Sequence, residues 1–521
     1  MKSLFSIGER RALWALAFVI LLSRSAFALG SDRLLFGGPF VEDAFYSLSV
    51  ARHFAMGNGF SADGVHLTNG VQPLIVLLQS LCFLVTGGDR FDGLRLCFVL
   101  SGFIEAAFLW VMALLLKSIH RKDSISSTER KWWQSPVVIA GAMQTFLFSL
   151  LAMHTNGMET GLNALMIVLF LYLYLRVQKN GRILKDFVGL GIVGGFLTLS
   201  RIDAGVLVFI VALLELRFAN GFRNSIIIDG MALIVSSPWW IYSYTHFGSL
   251  MPMSGQAESL GGWHSQALLD GVNAAGDIFF FYIPRWRHLI PELISISVLL
   301  ISACCVFVAA RRSEIGRKFR STFDLRAVLP LVLFSIFLIV YYLFFFHAPW
   351  FLDRYWHPVA VLWIMIAAMT LPVAAESVKT IPHRNRIFIY SILAVASIAI
   401  ILVNLRADRS EYLPRFPTGL AEIGFWAHDH PKSSIGVYQS GTAGFLADNV
   451  TNLDGKVNID ALKARQHDSL GAYIGMKQFD YLADESDFIG YMLEDSSLFG
   501  LRYSILDSIR FVRIYYRRTS K

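Results

Sequence analysis

The chain alternates long apolar runs with short polar breaks. After a first run at 12–22, apolar stretches recur at about 71–87, 94–116, 135–153, 159–178, 186–200, 203–217, 225–244, 289–310, 326–346, 357–375 and 387–404. Several are shorter than the ~20 residues that a helix needs to cross a bilayer. Beyond 404 the pattern changes to shorter segments. Strands are predicted over 435–439 and 479–482, helices over 460–473 and 488–494, and one or two strands over 503–516. Strand and helix in alternation predict a compact α/β unit. The polar island of the chain is 37–75. There Ala44, Phe45, Leu48, Ala51 and Ala55 recur at helical spacing behind two adjacent acids, Glu42 and Asp43. This predicts a helix lying flat on the membrane, with Ser47, Arg52 and His53 facing out.

Composition agrees with a polytopic α-helical membrane protein. Of 521 residues 55% are hydrophobic and 16% charged, against roughly 45–50% and about 25% in soluble proteins. The net charge of +8 does not point to nucleic acid, because the basic residues cluster in short loops at 117–131, 176–185, 217–223, 311–326 and 379–386. If every run crosses, the 117–131 cluster falls outside, against the positive-inside rule. If 71–87 dips in and returns, or stays interfacial, every cluster falls inside. About eleven crossings follow, with the N-terminus in and the C-terminus out. The chain then divides into a membrane domain, 1–404, with an external loop at 30–70, and an exported domain, 405–521. The start resembles a signal peptide, with Ala26 and Ala28 in an A-x-A site, although a retained anchor is the simpler reading. Cys82, Cys97, Cys304 and Cys305 have no metal-ligand spacing and read as core.

Ionisable groups are costly in a bilayer unless paired or wet, and here they gather at one membrane face. His154, Asn156 and Glu159 lie at one outer turn, Arg201 and Asp203 at the next, and His347, Trp350, Asp353, Arg354, Tyr355 and His357 at a third. With Glu42, Asp43, Asn69 and Gln72 they could ring one cavity; a single pair such as Arg201 with Asp203, or Asp353 with Arg354, could be a structural tie, but acids and bases recurring at successive outer turns favour a site. External arginines beside a lipid-facing cavity suit a substrate with a hydrocarbon tail and an anionic head, such as a polyprenyl-phosphate sugar. Its phosphate is a ready leaving group that arginine stabilises, so one carboxylate is enough to take the proton of an acceptor hydroxyl. A transporter or flippase remains the alternative, with Glu105 inside the 94–116 run as the residue it would need. A ligase using a polyprenyl-diphosphate donor is another. Ser440-Gly441-Thr442-Ala443-Gly444 could cradle a phosphate or be a plain turn.

The motifs Glu42-Asp43-Ala44-Phe45 followed by Ala51-Arg52, Thr68-Asn69-Gly70-Val71-Gln72-Pro73-Leu74, Gly157-Met158-Glu159-Thr160, Ser237-Pro238-Trp239-Trp240, Arg354-Tyr355 and Asn452-Leu453-Asp454-Gly455 together resemble the GT-C superfamily. These are polyprenyl-phosphate-sugar glycosyltransferases, and the arabinofuranosyltransferases that cap cell-wall arabinan are the nearest in pattern. The resemblance implies an inverting transfer, from a lipid-linked pentofuranose or similar donor to a glycan, lipid or protein, at the periplasmic face of a bacterial inner membrane. It makes Asp43 the catalytic base and leaves the role of Glu42 open, since the family more often has Asp-Asp. It gives Arg354, Arg201 and Tyr355 to the donor phosphate, and His154, Glu159, Gln72 and Asn69 to sugar or acceptor. No cluster of metal ligands stands out, though Glu42 with Asp43 could hold a divalent ion.

Overall fold

The computed structural model describes residues 4–120, 131–146, 153–261, 323–324, 328–346, 351–378, 419–485, 503–509 and 512–517, with isolated positions at 270, 271, 274, 488 and 492. The apolar runs predicted at 289–310 and 387–404, the boundary at 405, and His347 and Trp350 lie outside the described residues. Among those residues four helices are long and apolar enough to cross a membrane: Ile7–Leu29, Arg90–Ile119, Thr160–Lys179 and Gly221–Phe247. Shorter apolar helices occupy Pro73–Val85, Pro136–Phe146, Leu329–Phe344 and His357–Pro372.

Helix α1 (Ile7–Ser25) starts with a capping box: the Ser6 hydroxyl accepts from the Glu9 N–H, and the Glu9 carboxylate accepts from the Ser6 N–H. It runs antiparallel to the Arg90–Ile119 helix. Glu9 meets Lys117 at one end of the pair (2.7 Å), and Asp32 meets Arg95 at the other (2.6 Å). Between them Arg24 Nε and Nη2 donate to the two Glu105 oxygens at 2.7 and 2.9 Å, in a fully buried fork. Glu105 is therefore matched by Arg24 within the bundle. The first helix is packed into the bundle through the same pair.

Polar groups gather at two sets of helix ends. Lys117, Lys179, Arg182 and Glu215 gather at one end, where Lys179 donates to the Ser118 carbonyl and Arg182 pairs with Glu215. Asp43, Gln72, Glu159, Arg201 and Arg354 gather at the other.

Helices α2 (Glu42–Ala55) and α3 (Pro73–Val85) lie side by side at this second end. Their N-termini share one compartment, which Asp43 and Gln72 both line. At their C-termini Arg52 Nε donates to the Gly88 carbonyl at 2.9 Å. The 13 residues of α3 span about 20 Å, short of a bilayer core. The expected exposure of α2 does not hold: Ser47, Arg52 and His53 are all buried. The C-terminal residues cover that face. Asp448 takes Arg52 at 3.2 Å, His53 at 3.5 Å and Arg90 at 2.5 Å.

The C-terminal residues form a five-stranded sheet, β1 (Ile435–Val437), β2 (Val450–Asn452), β3 (Tyr481–Glu485), β4 (Tyr503–Ile509) and β5 (Val512–Arg517), in the order β2-β1-β3-β5-β4. β1 runs parallel to β2 and β3, and β5 is antiparallel to β3 and β4. Helices Gly419–Asp429, Gly441–Leu446, Ile459–Gln466 and Leu470–Lys477 flank it. The predicted 460–473 helix is two helices, split at His467–Ser469. Trp426 and Tyr473 pack within this unit: Trp426 stacks on His430, and the Tyr473 hydroxyl accepts from Asn458.

Candidate active site

Successive helical residues point about 100° apart, and this separates the two acids at the start of α2. The Val41 N–H donates to the Asn156 carbonyl at 3.0 Å, fixing the entry of the helix. Glu42 turns to the C-terminal unit. The Thr442 N–H donates to its Oε1 at 2.9 Å and the Thr442 hydroxyl pairs with Oε2. Burial pushes this carboxyl up to about 8, and the two Thr442 bonds offset the rise only in part. The Ser440–Gly444 turn is therefore occupied by the chain's own carboxyl.

Asp43 turns the other way, into a cavity. Its Oδ1 lies 3.0 Å from Lys456 Nζ and its Oδ2 3.4 Å from Arg354 Nη1. Burial alone would raise its carboxyl, but the Lys456 and Arg354 charges outweigh that and hold it below the usual carboxylate range. Tyr46, one turn on, donates its hydroxyl to Asp454 at 2.8 Å and so ties α2 to the turn that carries Lys456. That turn, Asn452–Lys456, is self-supporting: the Asn452 side-chain oxygen accepts from the Gly455 N–H and Asp454 accepts from the Lys456 N–H. Gly455 has φ +79°, a conformation that favours glycine. Lys456 also meets Glu258 at 2.8 Å, and burial, which would lower the ammonium's pKa, is outweighed by Asp43 and Glu258, which raise it.

Arg354 lies in a single helical turn, Leu352–Tyr355, and donates to Glu159 as well, at 3.1 Å. Glu159 is 2% exposed, and its position follows from the Asn156 side chain, which accepts from the Met158 N–H and donates to Thr160. Arg201 grips Asp203 through Nε and Nη2 at 3.1 and 2.6 Å and donates to the Arg354 carbonyl at 3.1 Å. The Tyr342 hydroxyl also donates to Asp203, and the Tyr342 ring stacks on Tyr355 at 4.3 Å. Arg201 thus acts on the Arg354 turn with most of its fork already engaged.

Two spaces meet at these residues. A cavity of about 720 Å³ is lined by Arg201 and Asp203 and, along two helices, by Leu233, Trp240, Phe337 and Tyr341. Leu233 is 62% exposed at mid-helix, so the cavity opens sideways across an apolar flank. A compartment of about 50 Å³ holds Asp43, Tyr46, Glu258 and Lys456. Gln72, Glu159, Ser254, Arg354 and Tyr355 form the wall between them.

Of the residues expected from sequence, Asp43, Glu159, Gln72, Arg201, Arg354 and Tyr355 come together here. Gln72 Oε1 also accepts from the Ile202 N–H at 3.3 Å. Asn69 is 1% exposed. Its amide donates to Ser243 and accepts from the Met253 N–H, fastening the Met253–Glu258 helix that carries Glu258. His154 is buried away from the cavity, with its Nε2 3.0 Å from His357 Nε2. The two acids at 42 and 43 diverge and share no ligand position. Asp43 already faces two side-chain cations, so the pair does not fit a divalent ion, and among the described residues no three His, Cys, Asp or Glu side chains cluster to hold one. Lys456 and Glu258 were missed. The signal for Lys456 was its place directly after the Asn452–Gly455 motif.

No protein-family model matches the sequence, and no curated protein matches it. Solved structures do. The structure is similar to ArnT from Cupriavidus metallidurans bound to undecaprenyl phosphate, with a TM-score of 0.55 at 11% identity over 98% of each chain. It is also similar to the Archaeoglobus fulgidus oligosaccharyltransferase tethered to an acceptor peptide, with a TM-score of 0.51 at 13% identity over 98% of this chain and 74% of that one. The mycobacterial arabinofuranosyltransferase AftD aligns more loosely, with a TM-score of 0.46 at 13% identity over 99% of this chain and 40% of that one, which says nothing about the sugar. The likeness to the first two shows that this chain shares their fold.

Proposed function

We propose that this protein moves a sugar from a polyprenyl-phosphate donor to an acceptor hydroxyl at the exported face of the membrane. The observation that carries the reading is the placing of one carboxylate, Asp43, beside one guanidinium, Arg354, on the wall between an apolar-flanked cavity and a small polar compartment. The lipid tail of the donor lies along Leu233 and Phe337, with its phosphate at Arg354 and Tyr355. The acceptor hydroxyl enters beside Asp43. Its oxygen attacks the anomeric carbon and its proton passes to Asp43. The bond from that carbon to the phosphate oxygen breaks, and polyprenyl phosphate leaves with its charge steadied by Arg354. Attack opposite the leaving group inverts the anomeric centre. Arg201 holds the Arg354 turn through its carbonyl, and Gln72 and Glu159 line the sugar's path.

The side assignment rests on the basic helix ends at Lys117, Lys179 and Arg182, which the positive-inside rule puts in the cytoplasm. On this reading α3 returns to its own face, the chain crosses about eleven times, and the inner membrane of a bacterium is the setting. The donor we favour is a pentofuranose, by the motif resemblance, and the acceptor is a glycan, lipid or protein. The test is purified protein given polyprenyl-phosphate pentofuranose and a glycan acceptor. Release of polyprenyl phosphate is expected from the native chain and not from Asp43→Asn, and normal turnover by that variant would remove the base from the scheme.

A further inference from the structure

Three carboxylates, Asp43, Glu159 and Glu258, share two cations, Lys456 and Arg354, around the small compartment. Arg201 adds no free charge, because Asp203 takes it in a fork. Among the described residues in these ion pairs, the carboxylates therefore outnumber the cations by one before any anionic ligand arrives. Each oxygen of Asp43 faces one of the two cations. Arg354 lines both spaces, whereas Lys456 lines only the compartment with Asp43. A phosphate entering from the large cavity reaches Arg354 first and makes the charge-assisted fork that guanidinium groups favour. Lys456 is then left between Glu258, Asp43 and the newcomer.

We propose that Lys456 is a positioning residue that, together with Arg354, masks Asp43 in the donor-free protein, and that the donor's phosphate draws the two cations away and so unmasks the base. This rests on the reading of Asp43 as the base. It gives the C-terminal unit a part in the chemistry, because Lys456 is delivered by the Asn452–Lys456 turn and tied to α2 by the Tyr46–Asp454 bond. It also gives the protein a reason not to activate water when no donor is bound, since a carboxylate held by two cations is a weak base. Besides Lys456, the groups facing Asp43 are Glu42 and Tyr46 on its own helix, Glu159 and Arg354 on the shared wall, Tyr355 and Glu258. Among the described residues of this set, Arg354 and Lys456 carry the positive charge.

Labelling of Asp43 by dicyclohexylcarbodiimide, which takes protonated carboxyls, reads the masking directly by mass spectrometry as pH is varied. An opposite charge within about 4–6 Å lowers a carboxyl by about 1–3 pH units. Adding undecaprenyl phosphate should therefore move the labelling midpoint of the native chain up by about one unit. Lys456→Met should move it up by a similar amount without lipid and shrink the further response to lipid, whereas Lys456→Arg should keep the native midpoint. Native and Lys456→Met midpoints that coincide would reduce Lys456 to a structural tie. A native midpoint that ignores the lipid, for want of binding or of coupling, overturns the proposal too. The transferase reading fails separately: if no polyprenyl-phosphate sugar supports transfer while the lipid still moves the midpoint, the masking stands and the reaction assigned to it does not.

Discussion

Glu42 and Asp43 are neighbours in sequence with opposite environments, and replacing each by its amide separates them. Glu42 is raised from 4.5 to about 8 by burial among Thr442 and the start of α2. Between those pH values the folded state binds more protons at this site than the unfolded state. Its contribution to stability is full below about pH 4.5 and is lost as pH rises toward 8. At about 1.4 kcal/mol per unit the full span would amount to about 5 kcal/mol, and the partial exposure of Glu42 reduces this to on the order of 2 kcal/mol. Glu42→Gln is neutral at every pH and keeps an oxygen for the Thr442 N–H. It should therefore flatten the fall in thermal stability of the detergent-solubilised protein between pH 5 and 8, and leave transfer within a few-fold of native. Asp43→Asn should do the reverse. Lys456 keeps Glu258 and Arg354 keeps Glu159, so stability should hold while transfer falls by about 10²–10⁴, the usual worth of a general base. Loss of transfer in Glu42→Gln equal to that in Asp43→Asn, or an unchanged pH slope in Glu42→Gln, would refute the division of roles.

Arg354→Ala should weaken donor binding by about ten- to a hundredfold, the worth of a charge-assisted fork, measured as the donor KM against kcat; an unchanged KM would move the phosphate elsewhere. Arg24→Ala strands Glu105 in the bundle and should cost about 3–5 kcal/mol, whereas the paired change Arg24→Met with Glu105→Leu should recover most of it in thermal unfolding. Gly70→Ala puts a methyl group into the Lys456 carbonyl and should cost about 1–3 kcal/mol by overpacking. It should also raise the labelling midpoint of Asp43 as Lys456→Met is expected to, and a midpoint identical to native would show that the turn yields without moving Lys456.

The bundle was readable because its signal is carried by each segment alone: runs of apolar residues and basic clusters at their ends. The basic clusters bear on α3 in the same way, since a course that dips in and returns, or stays interfacial, puts Lys117 and Lys131 on the same side as Lys179. The buried polar face of α2 was not, because Arg52 and His53 are covered by Asp448, nearly four hundred residues later, and no local pattern reports such a contact. The same holds for the site. Asp43, Arg201 and Arg354 declare themselves as charges in apolar surroundings. Lys456 looks like any polar residue after a glycine turn, and Asn69 looks like a ligand although both its polar atoms hold the Met253–Glu258 helix.

On the proposed reading, the placing of the site at a seam follows from what the chemistry needs from each side. A lipid-linked donor has to be met by a wall in contact with lipid, and helices supply that along Leu233 and Phe337. A base that takes a proton from a polar acceptor has to stand in a compartment closed to bulk water but open to that acceptor, and transmembrane helices alone offer no polar roof. The C-terminal unit provides one by gripping α2 at three points: Thr442 on Glu42, Asp454 on Tyr46 and Asp448 on Arg52. Each of these contacts lies on a different turn of the helix, so the unit cannot shift along α2 without breaking all three. Asp43 sits between the first two. The grip that orients Asp43 also delivers the cation that faces it, so the order of the roof and the electrostatics of Asp43 are fixed by the same set of bonds.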